Sequence, residues 1–168
     1  CTLTGNASYS ITVDGEADGA GTTVSGYAVD IHGALGTNVN LIVQTTTSTL
    51  LDFASATSGT VHDLTYDESG RECSLIGATT IAGDLTITAG TFSPYNDVAL
   101  TVAGRIDIAS GGTLTCNSSA VSSAGGVTVT GTLNAPDASG SLTISGEYSN
   151  RVIDVVGTFN NNDGTITI

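Results

Sequence analysis

The chain has 168 residues, of which only 11% are charged, and it carries 16 carboxylates against three Lys or Arg side chains for a net charge of −13. That balance excludes sequence-independent binding to DNA or RNA, which needs cations to displace counterions from phosphates, and it disfavours anionic membrane surfaces. An apolar content of 39% suffices for one core, which has to be aliphatic because Trp and Met are absent and only five Tyr and three Phe occur.

In chain order, the sequence opens at Cys1 and enters a strand-like run at once, Thr2-Leu3-Thr4. A cysteine in first place resembles the lipidated start of a bacterial lipoprotein, but no flexible tether follows it. Asn6-Ala7-Ser8 is an acceptor sequon for N-glycosylation at Asn6. A second strand is predicted from Ser10 to Val13. Asp14, Glu16 and Asp18, with Gly15 and Gly19 among them, then mimic the first half of a calcium loop. The bidentate Glu that would complete the loop is missing, since Ser25 stands at the twelfth place. Ca²⁺ at Asp14, Glu16 and Asp18 is the one cofactor the sequence suggests, and a solvated acidic turn is the plainer account. Ala28 to Gly33 gives another strand, whereas Gln44 to Ser58 is ambiguous.

From Leu85 onward the alternation of apolar and polar residues is clean. Leu85 and Ile87 point one way while Thr86 and Thr88 point the other, as a half-buried strand requires. The pattern returns at Leu100-Val102, Ile106-Ile108, Leu114-Cys116, Val127-Val129, Leu142-Ile144, Ile153-Val155 and Ile166-Ile168, with Gly90, Gly104, Gly131, Gly146 and Gly157 at the corners. Cys73 falls in phase with Leu75, and Cys116 with Leu114. Both thiols are therefore expected inside, where a disulfide between them needs adjacent coils. The segment from Gly111 to Gly126 is expected to leave the surface as a loop around Cys116 to Gly125. Asn117-Ser118-Ser119 offers a second sequon at Asn117. Asn160 to Gly164 reads as turn chemistry, with asparagines that can stack into hydrogen-bonded ladders. The chain stops inside another strand-like run, Thr165-Ile166-Thr167-Ile168.

Strands this short, joined by single-glycine corners at irregular intervals, do not fit repeated hairpins. A chain that turns each corner and keeps winding does fit, with roughly 20 to 25 residues per coil and each strand paired to the coils above and below. The reading is one all-β domain over 1–168, a right-handed parallel β-helix. A long internal match relates 2–43 to 132–168, through Ser10 to Glu16 with Ser141 to Glu147 and Ala28 to Gly33 with Val152 to Gly157.

The segments GDLTITAGTF, ALTVAGRIDI, GGTLTC, GGVTVTGTLN, GSLTISG and GTFNNNDGTITI span most of Ile81 to Ile168. Together they resemble the repeat-rich surface proteins built as parallel β-solenoids: autotransporter passengers, filamentous-haemagglutinin-like adhesins and some phage fibres. The resemblance implies a place outside the cell, on the cell surface or on a virion.

Chemistry is harder to find. His32 and His62 stand alone, and no hydrolase triad, zinc motif or phosphate loop occurs. Asp30, Asp107 and Asp154 occupy outward strand positions, where carboxylates from different coils could pair for glycoside cleavage. The Thr-x-Thr pairs at Thr2/Thr4, Thr86/Thr88, Thr113/Thr115, Thr128/Thr130 and Thr165/Thr167 resemble the water-ordering ranks of ice-binding solenoids, provided that they stack on one face. The preferred expectation is not an enzyme but an extracellular structural unit that joins copies of itself head to tail. The joint would run through Thr2-Leu3-Thr4 and Thr165-Ile166-Thr167-Ile168, with glycans as a further partner and no membrane span. The alternatives are an ice-binding solenoid and a carbohydrate-binding or carbohydrate-cleaving adhesin of the phage-fibre kind.

Overall fold

The computed structural model describes residues 9–15, 29–30, 39–45, 49–52, 59–95 and 97–168. The described part opens with β1 (Tyr9–Gly15), β2 (Val29–Asp30), β3 (Val39–Thr45), β4 (Thr49–Asp52) and β5 (Gly59–Val61). Long and short strands then alternate: β6 (Leu64–Leu75), β7 (Thr79–Ile81), β8 (Leu85–Pro94), β9 (Leu100–Val102) and β10 (Ile106–Thr115). Short ones complete the chain: β11 (Ala120–Ser123), β12 (Val127–Val129), β13 (Thr132–Asn134), β14 (Ser141–Ile144), β15 (Ile153–Val155), β16 (Thr158–Asn160) and β17 (Thr165–Thr167). Among the described residues there is no helix.

Every pairing between these strands is parallel, and none joins strands that are consecutive in the chain. The fold is an all-β parallel β-solenoid of about five coils. Each coil lays down three strand stretches. The first two belong to an 11-stranded sheet and the third to a six-stranded one. In β6, β8 and β10 one strand carries both stretches of the long sheet, with register shifts at Tyr66/Asp67, Asp67/Glu72 and Ile108/Gly111 where the chain bends. From β12 onward the same bend separates two short strands.

The core follows from register. Leu64, Leu85, Ile106 and Val127 stack in one inward column, and Tyr66, Ile87, Ile108 and Val129 in the next. Cys73, Phe92, Leu114 and Leu133 stack on the second stretch, and Leu100, Val121 and Leu142 on the third. All of these are at most 2% exposed. Since period 2 sends alternate residues outward, each coil spends its Leu, Ile and Val inside and its Thr, Ser and Asn outside.

The coil period shows in the corner between the short and long sheets. There the Asp63 carboxylate accepts the Asp84 backbone N–H at 2.8 Å, and the Asp84 carboxylate accepts that of Arg105 at 2.7 Å, each across 21 residues. Gly83, Gly104 and Gly125 hand backbone bonds up the same corner, Gly104 N–H to the Gly83 carbonyl and Gly125 N–H to that of Gly104. A Cβ on Gly104 would overlap the Asp84 carboxylate and the Gly83 carbonyl, so this corner requires glycine.

Three expectations need correction. Gly111 to Gly126 is no surface excursion: it holds the end of β10, all of β11 and a buried Val121, paired on both sides to β9 and β14. The Cys73–Cys116 disulfide is ruled out by register, because Cys73 lies beside Phe92 and Phe92 beside Leu114. The thiols are thus two coils apart, and both are free. That separation exceeds the roughly 7 Å limit between Cα atoms for a bridge. Finally, GDLTITAGTF and ALTVAGRIDI are not counterparts. Leu85-Thr86-Ile87 stacks on Ile106-Asp107-Ile108, whereas Leu100-Thr101-Val102 belongs to the other sheet. Of the segments in the long internal match, β1 lies in the long sheet and β14 in the short one.

Candidate functional site

Among the described residues the solenoid presents three outward faces and, past β14, an open end. On the first face Thr65, Thr86, Asp107, Thr128 and Asp154 stack in one rank. Asp107 is held by Arg105 at 3.1 Å and Asp154 by Arg151. Thr128 stands between the two carboxylates, and an arginine occupies each of them. This is an ion-paired surface rank. Asp30 lies in β2, on the second stretch, and its register partner is Asp52.

The second face stacks Glu72, Thr91, Thr113, Thr132 and Thr158 in register. Beside it Thr115, Asn134 and Asn160 form a second rank. Asn160 donates to the Asn134 side-chain carbonyl at 2.8 Å, and Asn134 donates to the Thr115 hydroxyl at 3.0 Å. This is the asparagine ladder that the turn-rich sequence suggests. Further up the face, Glu72 accepts the hydroxyls of the buried Ser74 and Ser93 at 3.1 and 2.9 Å. That carboxylate accepts from two buried hydroxyls, a role that sequence alone gives no sign of, because one of them, Ser93, lies 21 positions away. A groove of about 460 Å³ at the adjoining bend is lined by Arg71, Glu72, Thr91 and Thr113 over Gly90 and Gly111.

On the third face Thr60, Thr80, Thr101, Ser122, Thr143 and Thr167 stack in one rank. The Thr-x-Thr pairs are therefore distributed. Thr86 and Thr128 lie on the first face, Thr113 and Thr115 on the second, and Thr165 and Thr167 on the third.

Of the remaining candidates, Thr2, Leu3, Thr4, Asn6, Glu16, Asp18 and His32 lie outside the described residues. Asp14 is in β1, in register with Gln44. Among the described residues no three His, Cys, Asp or Glu side chains come together as a metal site. His62 sits 3.1 Å from Asp63 at the corner. Asn117 adopts a left-handed turn (φ 52°), and its side-chain amide donates to the Pro94 carbonyl at 2.9 Å, so a glycan on that nitrogen would disturb the corner bond. Burial pushes the Cys116 thiol up to about 12 and the Cys73 thiol higher still, the latter helped by Glu72, which disfavours the thiolate at both. Tyr66, its ring 6.2 Å from that of Phe92, is buried and likewise raised, first by desolvation and then by Cys73.

The open end is different in kind. Ile153, Val155, Phe159 and Ile166 continue the inward columns through their pairing with Val127, Val129, Leu133 and Leu142. Yet Val155 is 41% exposed, the other three are only half-buried, and Ile168 beyond them is 70% exposed. A two-residue hairpin at Ser149-Asn150 (φ 52° and 62°) stands beside this coil, closed by reciprocal Tyr148–Arg151 backbone bonds. Its Tyr148 ring covers the Arg105 guanidinium at 4.1 Å.

No protein-family model matches the chain, and no curated protein and no solved structure is significantly similar to it. The class that the fold defines is the parallel β-solenoid, and the open coil is the feature from which a function can be argued.

Proposed function

We propose that this chain is an extracellular structural unit of a filament, fibre or surface layer, which assembles end to end on copies of itself. The observation that carries this reading is the uncovered end of the core. The inward columns close at 0–2% exposure through Ile144 but finish on a coil whose apolar residues face solvent along with one edge of β15, β16 and β17. Unpaired N–H and C=O groups on a parallel edge template a further strand, and each apolar side chain covered adds about 1 kcal/mol or more. A head-to-tail contact does not close on itself, so it propagates. The kinship with repeat-rich surface proteins and the location outside the cell belong to the same proposal.

The test is light scattering together with negative-stain imaging at neutral pH, with and without added salt. Salt screens the net charge of −13, so assembly should strengthen as salt rises. A particle of single-chain mass at all concentrations and salts would overturn the reading.

Ice binding is the second reading, and one observation favours it: Thr113/Thr115, Thr132/Asn134 and Thr158/Asn160 stack in register on one face. The ladder from Asn160 through Asn134 to Thr115 weighs against it, because those groups spend hydrogen bonds on one another. Recrystallisation assays should therefore show no inhibition, and inhibition that Thr132→Tyr removes would exchange the two readings.

A further inference from the structure

We propose that the groove at the bend between the first and second faces binds a neutral saccharide, with Glu72 and Arg71 as its charged contacts and Thr91 and Thr113 as its hydroxyl contacts. The site lies on the side of the solenoid, on β6, β8 and β10, which are paired on both sides. It therefore stands independently of how copies meet at their ends.

A bulge in β6 forms one wall of the groove. Asp67 is in register with Ala89 and Glu72 with Thr91, so Glu68 to Arg71 stand opposite Gly90 alone. Bulges of this kind re-aim side chains and recur beside functional sites. Ser69 through Glu72 are exposed. The base of the bulge is packed tight, since a Cβ on Gly90 would overlap the Glu68 carbonyl and lie 2.9 Å from the Tyr66 ring. Gly111 continues the floor one coil on, in register with Ala89. A floor of glycines carries no side chain, so a flat ring can approach the backbone closely. Beneath Gly90, Tyr66 keeps a buried hydroxyl with no hydrogen-bond partner among the described residues, which leaves one donor unspent at this bend.

Glu72 is the strongest sign of a ligand. It is exposed, yet the buried Ser74 and Ser93 donate to its Oε1 at 3.1 and 2.9 Å and lie 3.2 Å from each other. An exposed carboxylate ordinarily samples several rotamers. Two buried hydroxyls hold this one in a single orientation beside the groove, the bracing that a binding group needs. Arg71 adds a cation. Arg105 and Arg151 are ion-paired to Asp107 and Asp154, whereas Arg71 has no carboxylate partner among the described residues. Glu72, Thr91 and Thr113 then follow the axis in register, about 4.8 Å apart, which is close to the length of one sugar ring. The set joins an acceptor, a fork of donors and two hydroxyls that do both. Sugar hydroxyls also donate and accept, so a saccharide matches every member. A volume of about 460 Å³ lies within the range of small-ligand sites. The net charge of −13 repels acidic sugars and leaves neutral ones.

Amide NMR titrations of the full chain with lactose, maltose, cellobiose and chitobiose test the assignment. At least one of these sugars, at millimolar concentration, should move the resonances of Gly70, Gly90 and Gly111 and leave that of Thr101 on the third face in place. Arg71→Gln and Glu72→Gln alter exposed side chains, so both should fold, and each should weaken binding about tenfold. Ser93→Ala touches no ligand atom but unbraces Glu72, so it should weaken binding several-fold. Combined with Glu72→Gln it should weaken binding no further than Glu72→Gln alone, which loss of stability by itself would not produce. Galactose should bind more tightly than galacturonate, and the reverse order would overturn the choice of a neutral ligand. No shift from any of these sugars, or shifts that persist unchanged in Arg71→Gln and Glu72→Gln, would overturn the site. Light scattering reads assembly separately, so a chain that stays single can still pass this test and one that polymerises can still fail it.

Discussion

The middle coils and the last one are built from the same letters and reach different fates. Val129 and Val155 are register partners, as are Leu142 and Ile166, yet the first of each pair is sealed and the second is only partly covered. The difference lies in what stacks on them, since a coil in a solenoid is buried by its neighbours and not by itself. A closed end would change its composition toward polar residues. The last coil keeps the inward pattern of the coils it stacks on, and with nothing over it in the structure its apolar residues are only partly covered.

That contrast can be broken most directly by truncation within one column. Leu142→Ala should cost about 2–5 kcal/mol, the usual loss for a sealed aliphatic side chain. Ile166→Ala should cost less than about 1 kcal/mol in dilute, salt-free solution, where its outer side is already wet. Denaturant melts of both variants provide the comparison, and equal losses would mean that the last coil is covered after all. Under assembling conditions the cost of Ile166→Ala should rise.

The corner ladder sharpens the same contrast at a smaller scale. Asp84→Ala strands the Arg105 backbone N–H inside the corner and should cost about 1–3 kcal/mol. Asp84→Asn keeps an acceptor oxygen and should cost much less. At the last coil the corner is replaced by the hairpin, where Tyr148→Ala gives up only a cation–π contact at the surface, roughly 0.5–1 kcal/mol. A Tyr148 loss as large as that of Asp84→Ala would make the hairpin a cap and weaken the case for an open end.

Much of this architecture was legible in the letters, though not its register. Alternation with period 2 and glycine corners lead to a parallel solenoid, because both are local. The 21-residue repeat is present as well, in Ala82-Gly83, Ala103-Gly104, Ala124-Gly125 and Ser145-Gly146. It was hidden by the likeness of all three faces: Leu-Thr-Ile on one sheet and Leu-Thr-Val on the other align equally well. The stretch before Gly126 reads as a loop because Ser119 and Ser123 stand where apolar residues are expected. Ser123 is nonetheless inward, its hydroxyl donating to the Gly126 carbonyl at 2.8 Å and lying 3.1 Å from that of Gly104. Its partners are supplied by the fold and are invisible in a linear reading. Local pattern likewise does not reveal that β1 enters the long sheet.

The smallest expected effect is a pH dependence at the corner between β13 and β14. The Asp137 carboxylate accepts the Ser118 hydroxyl at 2.8 Å, and from Ser139 a backbone N–H at 3.2 Å and a hydroxyl at 3.1 Å. The Ser118 bond, followed by the Ser139 backbone bond, holds it below the usual carboxylate range. Hydrogen bonds to the charged form exist only in the folded chain, so the folded value lies below the unfolded one. The carboxylate's contribution is then complete above the unfolded value, and it falls away as acid takes the pH below about 4 and through the folded value. Asp137→Asn keeps the acceptor oxygen but removes the titration, so its melting temperature should change less than that of the parent chain between neutral and acid pH. The last coil hangs on this corner through Gly164 N–H bonded to the Pro136 carbonyl at 2.9 Å. Acid should therefore loosen that coil before it touches the sealed ones, which amide exchange at Thr165 to Thr167 compared with Leu100 to Val102 would record. A simultaneous loss of protection in both segments would show that the last coil and the middle ones open as a single unit.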